Sequence, residues 1–261
     1  MRNSKLFPLT VLVFILVTGC GQAEKVTVSP AAPVEKPAAI PPAAVSDGPV
    51  GRITGTVIFE GPVPAPVRSP VKSFSECAAQ HPEEVFTEDV LVKDGKLQNV
   101  FVYVKSGLDE AKPLPPAEGS AMVDQAGCMY KPHVLGLRTN QELIIKNSDV
   151  TLHNVHSHSA NQKDFNAGMP VQGMKIKKSF TAPEVMVKLT CDVHPWMKAY
   201  IGVLSHPWFA VSGEDGNFEI KDLPPGTYTL EAWHETFGTR TQEITVGPSE
   251  TKEISFSFSA T

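Results

Sequence analysis

Cys191-Asp192-Val193-His194-Pro195-Trp196-Met197 places a thiol, an imidazole and a thioether in one short run of chain. Upstream of it, Val185, Val187, Leu189 and Cys191 share one parity, while Lys188 and Thr190 take the other. That alternation predicts a strand with one buried face, ending on an inward-pointing Cys191 near the rim of a β-sandwich. Pro195 cannot donate to a ladder, so the strand stops and a tight loop can fold His194 and Met197 back toward Cys191. Ile201 and Val203 read as the next strand.

Another imidazole stands upstream, in Leu152-His153-Asn154-Val155-His156. It follows the apolar run Leu143-Ile144-Ile145 and the turn-like Asn147-Ser148-Asp149. His153 is therefore expected at the end of an earlier strand, on a rim that converges with that of Cys191. Each donor also has an ordinary reading. A lone Cys is most often a small buried hydrophobe, a lone Met fills core gaps, and a lone His is more often a hydrogen-bonded structural residue. Cys-x-x-His alone would suit zinc. With Met in place of a further Cys or His, the set shifts toward copper, for which two His, one Cys and a weak axial Met form a mononuclear electron-transfer site.

The paired motifs resemble those of cupredoxins, and among them most resemble amicyanin-type proteins, with a short Cys-x-x-His-Pro-aromatic-Met loop and an upstream His-Asn-Val-His. The similarity extends to Met129-Tyr130-Lys131-Pro132 and Met174-Lys175-Ile176-Lys177-Lys178, and covers residues 119–205. It implies one type 1 copper ion held by His153, Cys191, His194 and Met197, with His156 left out. It also implies that His194 sits near the surface in an apolar patch including Pro195 and Trp196, where a redox partner docks. Ordinary packing between domains is the other reading of Trp196.

The chain begins with a segment that is not expected to belong to the fold. Arg2 and Lys5 precede a short apolar run over residues 6–17, too short for a comfortable transmembrane helix. Leu16-Val17-Thr18-Gly19-Cys20 resembles a bacterial lipobox, which implies cleavage after residue 19 and lipid on Cys20. Gly21 follows rather than Asp, so the resemblance favours the outer membrane over the inner, facing the periplasm. Residues 20–49 are Pro- and Ala-rich, an extended tether able to reach ~90 Å at ~3.1 Å per residue. The chain holds 23 basic and 28 acidic residues, and without Arg2 and Lys5 the balance is 21 to 28, a net of −7. Nothing in it suggests a nucleic-acid partner. Cys77 and Cys128 remain after Cys20 and Cys191 are assigned. In an exported chain a disulfide between them is the default, and a metal site of Cys128 with His133 is the rival.

Strands dominate the rest, with breakers such as Asp94-Gly95 and residues 113–116, and Ser75 to His81 allows a turn or two of helix. At the C-terminus, Glu214-Asp215-Gly216-Asn217 turns into a strand containing Phe218 and Ile220. Leu223-Pro224-Pro225-Gly226-Thr227-Tyr228 turns into another, and Ile254, Phe256 and Phe258 alternate with serines. This pattern resembles a carboxypeptidase regulatory-like (transthyretin-like) domain, whose opening strand is similar to Gly51-Arg52-Ile53-Thr54-Gly55-Thr56-Val57. The expected fold is all-β, a cupredoxin-type sandwich plus a smaller transthyretin-like sandwich. The expected order is a lipoprotein-type signal at 1–19, the tether at 20–49 and an N-terminal β segment at 50–118. The cupredoxin domain follows at 119–205 and the regulatory-like domain at 206–261. The segment 50–118 either pairs with the last domain, making the cupredoxin an insertion, or precedes two domains in series.

These readings converge on a membrane-anchored copper protein relaying single electrons in the cell envelope, with an unnamed redox protein as partner. Two rivals use the same features: a copper carrier or buffer, and an adhesion or scaffold module. An enzyme is not expected. Multicopper catalysis needs further histidine-held ions, and His156-Ser157-His158 is the one His-x-His in a chain with eight histidines. His133 has no assigned role, and His206 and His234 are expected to be structural, beside Trp208 and Trp233.

Overall fold

In Gly51–Glu60 the odd-numbered residues are buried and the even-numbered ones are exposed or half-buried. A period-two pattern of this kind turns one face of a pleated strand to a core. In Glu184–Thr190, Val187 and Leu189 are buried with Cys191 just beyond, while Lys188 faces solvent. The computed structural model describes residues 48–109, 112 and 114–260. The signal-type segment, Cys20 and nearly all of the tether lie outside the described residues.

The strands form two β-sandwiches, and the described residues are all-β apart from two short helical turns. One sandwich is split in sequence. Gly51–Glu60 lies between Asn217–Leu223 and Thr251–Ser259, antiparallel to the first and parallel to the second. Facing this sheet, Phe101–Ser106 lies between Phe209–Val211 and Gly226–His234, and Gly238–Val246 closes the edge. One core of Ile53, Val57, Val102, Leu230, Phe256 and Phe258 joins residues from both ends of the chain. The Pro-Pro-Gly turn is closed by the Tyr228 hydroxyl, which donates to the Pro224 carbonyl at 2.6 Å.

Between Ser106 and Phe209 the chain builds the central sandwich. One sheet runs Asn166–Met169, His153–His158, Glu184–Thr190, Lys198–Leu204, Val134–Arg138. The other runs Lys175–Lys178, Glu142–Asn147, Ser120–Gln125, Tyr130–Lys131. Leu143, Ile145, Val155, Val187, Leu189 and Ile201 fill its core. At the junction Phe101 and Phe209 lie over Gly202 and Gly136, which face each other in register on neighbouring strands. A Cβ on Gly202 would sit 2.4 Å from the Phe101 ring, and one on Gly136 would sit 2.3 Å from Phe209. Glycine is required there because an aromatic ring occupies the side-chain space.

Candidate metal centre

Asn147 shapes the loop before the first histidine. Its buried amide donates to the Thr151 and Met169 carbonyls, and its side-chain oxygen accepts the Asp149 N–H. Asp149 is thereby turned inward at 3 % exposure, accepting the N–H groups of Gly127 and Cys128 at 2.8 Å each. It also accepts the His153 Nε2–H at 2.9 Å. Burial alone would raise the Asp149 carboxyl, but these donors hold it below its ordinary range. The carboxylate keeps the His153 proton on Nε2 and leaves the Nδ1 lone pair facing the site. Asn154 then ties this strand to the Cys191 loop, accepting the Asp192 N–H and donating to the Asp192 carboxylate.

The loop after Cys191 closes on itself. Cys191 N donates to the Met197 carbonyl at 3.2 Å, and Met197 N donates to the His194 carbonyl at 2.9 Å. His194 Nδ1 thereby comes to 2.9 Å from His153 Nδ1 and 3.8 Å from Cys191 Sγ. All three donor atoms lie within 4.8 Å of one another, in residues at most 2 % exposed. Met197 is fully buried in the same core cluster as Cys191.

The electrostatics favour a thiolate between imidazoles. Burial raises the Cys191 thiol, but His153 and the backbone N–H groups of Asn154, His194 and Val193 outweigh it and bring the thiol below its ordinary value. Burial pushes His153 down, while Asp149 and Cys191 pull it up to about 8 in the metal-free site. His194 is held low by burial and by the neighbouring His153.

A strap over this rim was not legible in sequence. Pro70–Ser73 and Ser75–Ala78 form two short helical turns that lie on the loop. Cys77 and Cys128 are disulfide-bonded, and His81 Nε2 donates to the Gly127 carbonyl at 2.7 Å. Cys77 Sγ lies 3.6 Å from His194 Nε2, and the Phe74 and Trp196 rings stand 5.0 and 5.1 Å from the His194 ring. His194, expected near the surface, is covered there and 2 % exposed. The physical reason is the strap, which covers the imidazole that a bare loop would present. Pro195 is exposed and Trp196 half-buried. The Trp196 indole donates to the Cys128 carbonyl at 2.9 Å, so it packs against the strap rather than between the sandwiches.

The remaining histidines are engaged elsewhere. His156 is half-buried, pairs with Asp192 and does not join the cluster. His133 bonds Glu235, which also holds Lys198, and Cys128 is in the disulfide, so the two share no site. His206 stacks on Trp208, while His234 stacks on Phe237 at 4.7 Å rather than on Trp233. Sequence reading missed Asp149 as the group that orients His153. The signal was present in Asn147-Ser148-Asp149, four residues before the histidine.

A β-sandwich protein with a buried His-Cys-His cluster is thus defined by fold and geometry. Residues 198–259 match the family model described as a carboxypeptidase regulatory-like domain, so the chain carries such a domain. That match begins in Lys198–Leu204, which pairs inside the central sandwich, and leaves out Gly51–Glu60 and Phe101–Ser106, which complete the split one. No curated protein sequence matches the chain. Among solved structures, a purple cupredoxin from Nitrosopumilus maritimus is 24% identical, covering 32% of this chain and 98% of its own, with a TM-score of 0.28. A methionine-to-alanine variant of amicyanin in the Cu(I) form is 19% identical over 39% of this chain and 97% of its own, at 0.30. A copper-containing nitrite reductase from Thermus scotoductus SA-01 is 17% identical over 56% of this chain and 28% of its own, at 0.30.

Proposed function

We propose that this chain is a mononuclear copper protein that relays single electrons in the bacterial cell envelope. The observation that supports it is the convergence of His153 Nδ1, His194 Nδ1 and Cys191 Sγ within 4.8 Å in a buried site. Donors sharing one ion at ~2.0–2.3 Å stand about 3.5 Å apart, and the 2.9 and 3.8 Å separations here bracket that value. Two nitrogens and one sulfur, with a buried thioether nearby in sequence, suit copper better than zinc or a hard cation.

Copper bound there supplies a one-electron couple. Cys191 would supply the thiolate, which His153 and the surrounding N–H groups favour against burial. Asp149 fixes the His153 tautomer, and the Cys77 sulfur facing His194 Nε2 leaves the Nδ1 of that ring toward the site. Met197, buried in the same core, would be the further, weak donor. Donors locked by hydrogen bonds and a disulfide-held strap have little room to rearrange between oxidation states. Because His194 is covered, the docking contact for a redox partner is assigned to exposed Pro195 and the outer edge of Trp196, whose ring adjoins His194. The same burial favours retention of the ion over carriage, which needs rapid exchange.

The visible and electron-paramagnetic-resonance spectra of the copper-loaded protein test the reading. An intense thiolate-to-copper band is expected, and Cys191→Ser should abolish it. A coloured Cys191→Ser protein would sink the assignment. Attachment to a membrane through lipid on Cys20 is part of the proposal, and full-length Cys20→Ser should move to the soluble envelope fraction. A Cys20→Ser protein that still sediments with membranes would place the anchor elsewhere.

A further inference from the structure

We propose that His156 and His158, on the outer face of the central sandwich, bind a borderline divalent transition-metal ion, copper(II) ahead of zinc(II), with Asp192 fixing one of the two rings. The pair is the His-x-His of the sequence, and neither ring belongs to the buried His-Cys-His cluster.

In His153–His158 the residues His153, Val155 and Ser157 point inward and are fully buried. Successive side chains of a strand take opposite faces, so His156 and His158 stand together on the outside. Both are accessible: the His156 side chain is 31 % exposed, and His158 is exposed. Their ring centroids lie 4.3 Å apart. Two neighbouring imidazoles on one ion, each with its nitrogen ~2.0 Å from the metal, have centroids about 4.5–5 Å apart. The pair thus stands at nearly the spacing that one shared ion requires.

Each ring is held through one nitrogen and keeps the other for a ligand. His156 Nδ1–H donates to Asp192 Oδ1 at 3.3 Å, which leaves the Nε2 lone pair. His158 Nε2 bonds Thr190 Oγ1 at 2.7 Å, and that hydroxyl can accept the Nε2–H, which leaves Nδ1. Asp192 is itself fixed, because its Oδ2 accepts the amides of Asn154 at 2.9 Å and Asn166 at 2.7 Å. A carboxylate held in this way orients an imidazole and strengthens it as a metal ligand. Lys188, in register with His158, opposes a cation, but its ammonium rides on a long exposed side chain. Imidazole donors suit a borderline ion better than magnesium or calcium, and copper(II) binds such donors ahead of zinc(II). No donor of the buried cluster is used, so the inference stands whether or not that cluster holds copper.

The test is a zinc(II) titration of the folded full chain, followed through the ¹H and ¹⁵N resonances of the histidine rings, which separate this pair from His153 and His194. His156 and His158 are expected to shift together and saturably. Copper(II) should then displace the zinc and broaden the same two rings. His158→Gln changes an exposed side chain and leaves the core alone. It should weaken zinc binding at His156 by at least the ~10–100-fold that follows loss of a supporting group. Asp192→Asn should weaken it ~10–100-fold, and Lys188→Gln should tighten it. The proposal is overturned if both rings stay in place at millimolar zinc, if only one of them shifts, or if His158→Gln binds as tightly as wild type. A zinc-loaded pair that copper(II) fails to displace would overturn the preference for copper.

Discussion

Replacing Asp149 by Asn should weaken copper binding without touching a donor atom. Asp149 accepts three hydrogen bonds, from Gly127 N, Cys128 N and His153 Nε2, at 3 % exposure. The isosteric amide has one accepting oxygen and one donating nitrogen. If the nitrogen faces Gly127, one charge-assisted bond is lost and two donors oppose each other, costing about 1.5–3 kcal/mol of folding stability. If it faces Cys128 and His153, it donates to His153 Nε2 and drives the ring proton to Nδ1, the nitrogen that faces Cys191 and His194. Loss of such a supporting partner typically lowers metal affinity by ~10–100-fold. Competition with a chelator of known copper affinity, followed through the thiolate band, measures the loss. Above about pH 8, where His153 is neutral in the metal-free site, the ¹⁵N spectrum reports its tautomer. Unchanged affinity together with a proton still on Nε2 would refute the reasoning.

Removing the disulfide with a Cys77→Ala, Cys128→Ala pair should cost about 4 kcal/mol in the chain-entropy model for a separation of 51 residues. It should also increase reactivity of His194 toward an imidazole-modifying reagent, and unchanged protection would show that the strap does not cover the ring. Gly202→Ala should destabilise by about 1–3 kcal/mol in denaturant titration, because its Cβ would meet the Phe101 ring at 2.4 Å; a neutral effect would mean the junction yields easily. Burial lowers His206 and His234 to about 4, so the unfolded chain takes up their protons near pH 6.5 and the folded one does not. Their contribution is intact above pH 6.5 and is lost as pH falls toward 4, by up to ~3 kcal/mol each. Glu88, raised by burial, works against this, while Glu235, held to about 2 although burial raises it, by its bonds to His133 and Lys198, adds loss only below about pH 4.5. Unfolding free energies that do not fall between pH 6.5 and 4.5 would contradict it.

Local chemistry carried much of this protein. Alternation in Val187, Leu189 and Cys191 and the stop at Pro195 are properties of neighbouring residues, so the strand and its terminal loop can be read directly. The same holds for the Asp215-Gly216 turn and the Pro-Pro-Gly turn of the last sandwich. The donors His153, Cys191 and His194 were legible because soft and nitrogen donors at strand ends have few other reasons to cluster. Three features were decided only by tertiary structure. The parallel pairing of Gly51–Glu60 with Thr251–Ser259 joins chain ends about 200 residues apart, and no local pattern encodes which strand a half-buried face will meet. The burial of His194 depends on a strap that Cys128 ties down from a different sheet, so its exposure cannot be inferred from its own loop. The burial of Arg138, 9 % exposed at the end of its strand, is likewise a tertiary fact, because burial belongs to the packed assembly of elements and not to the residue.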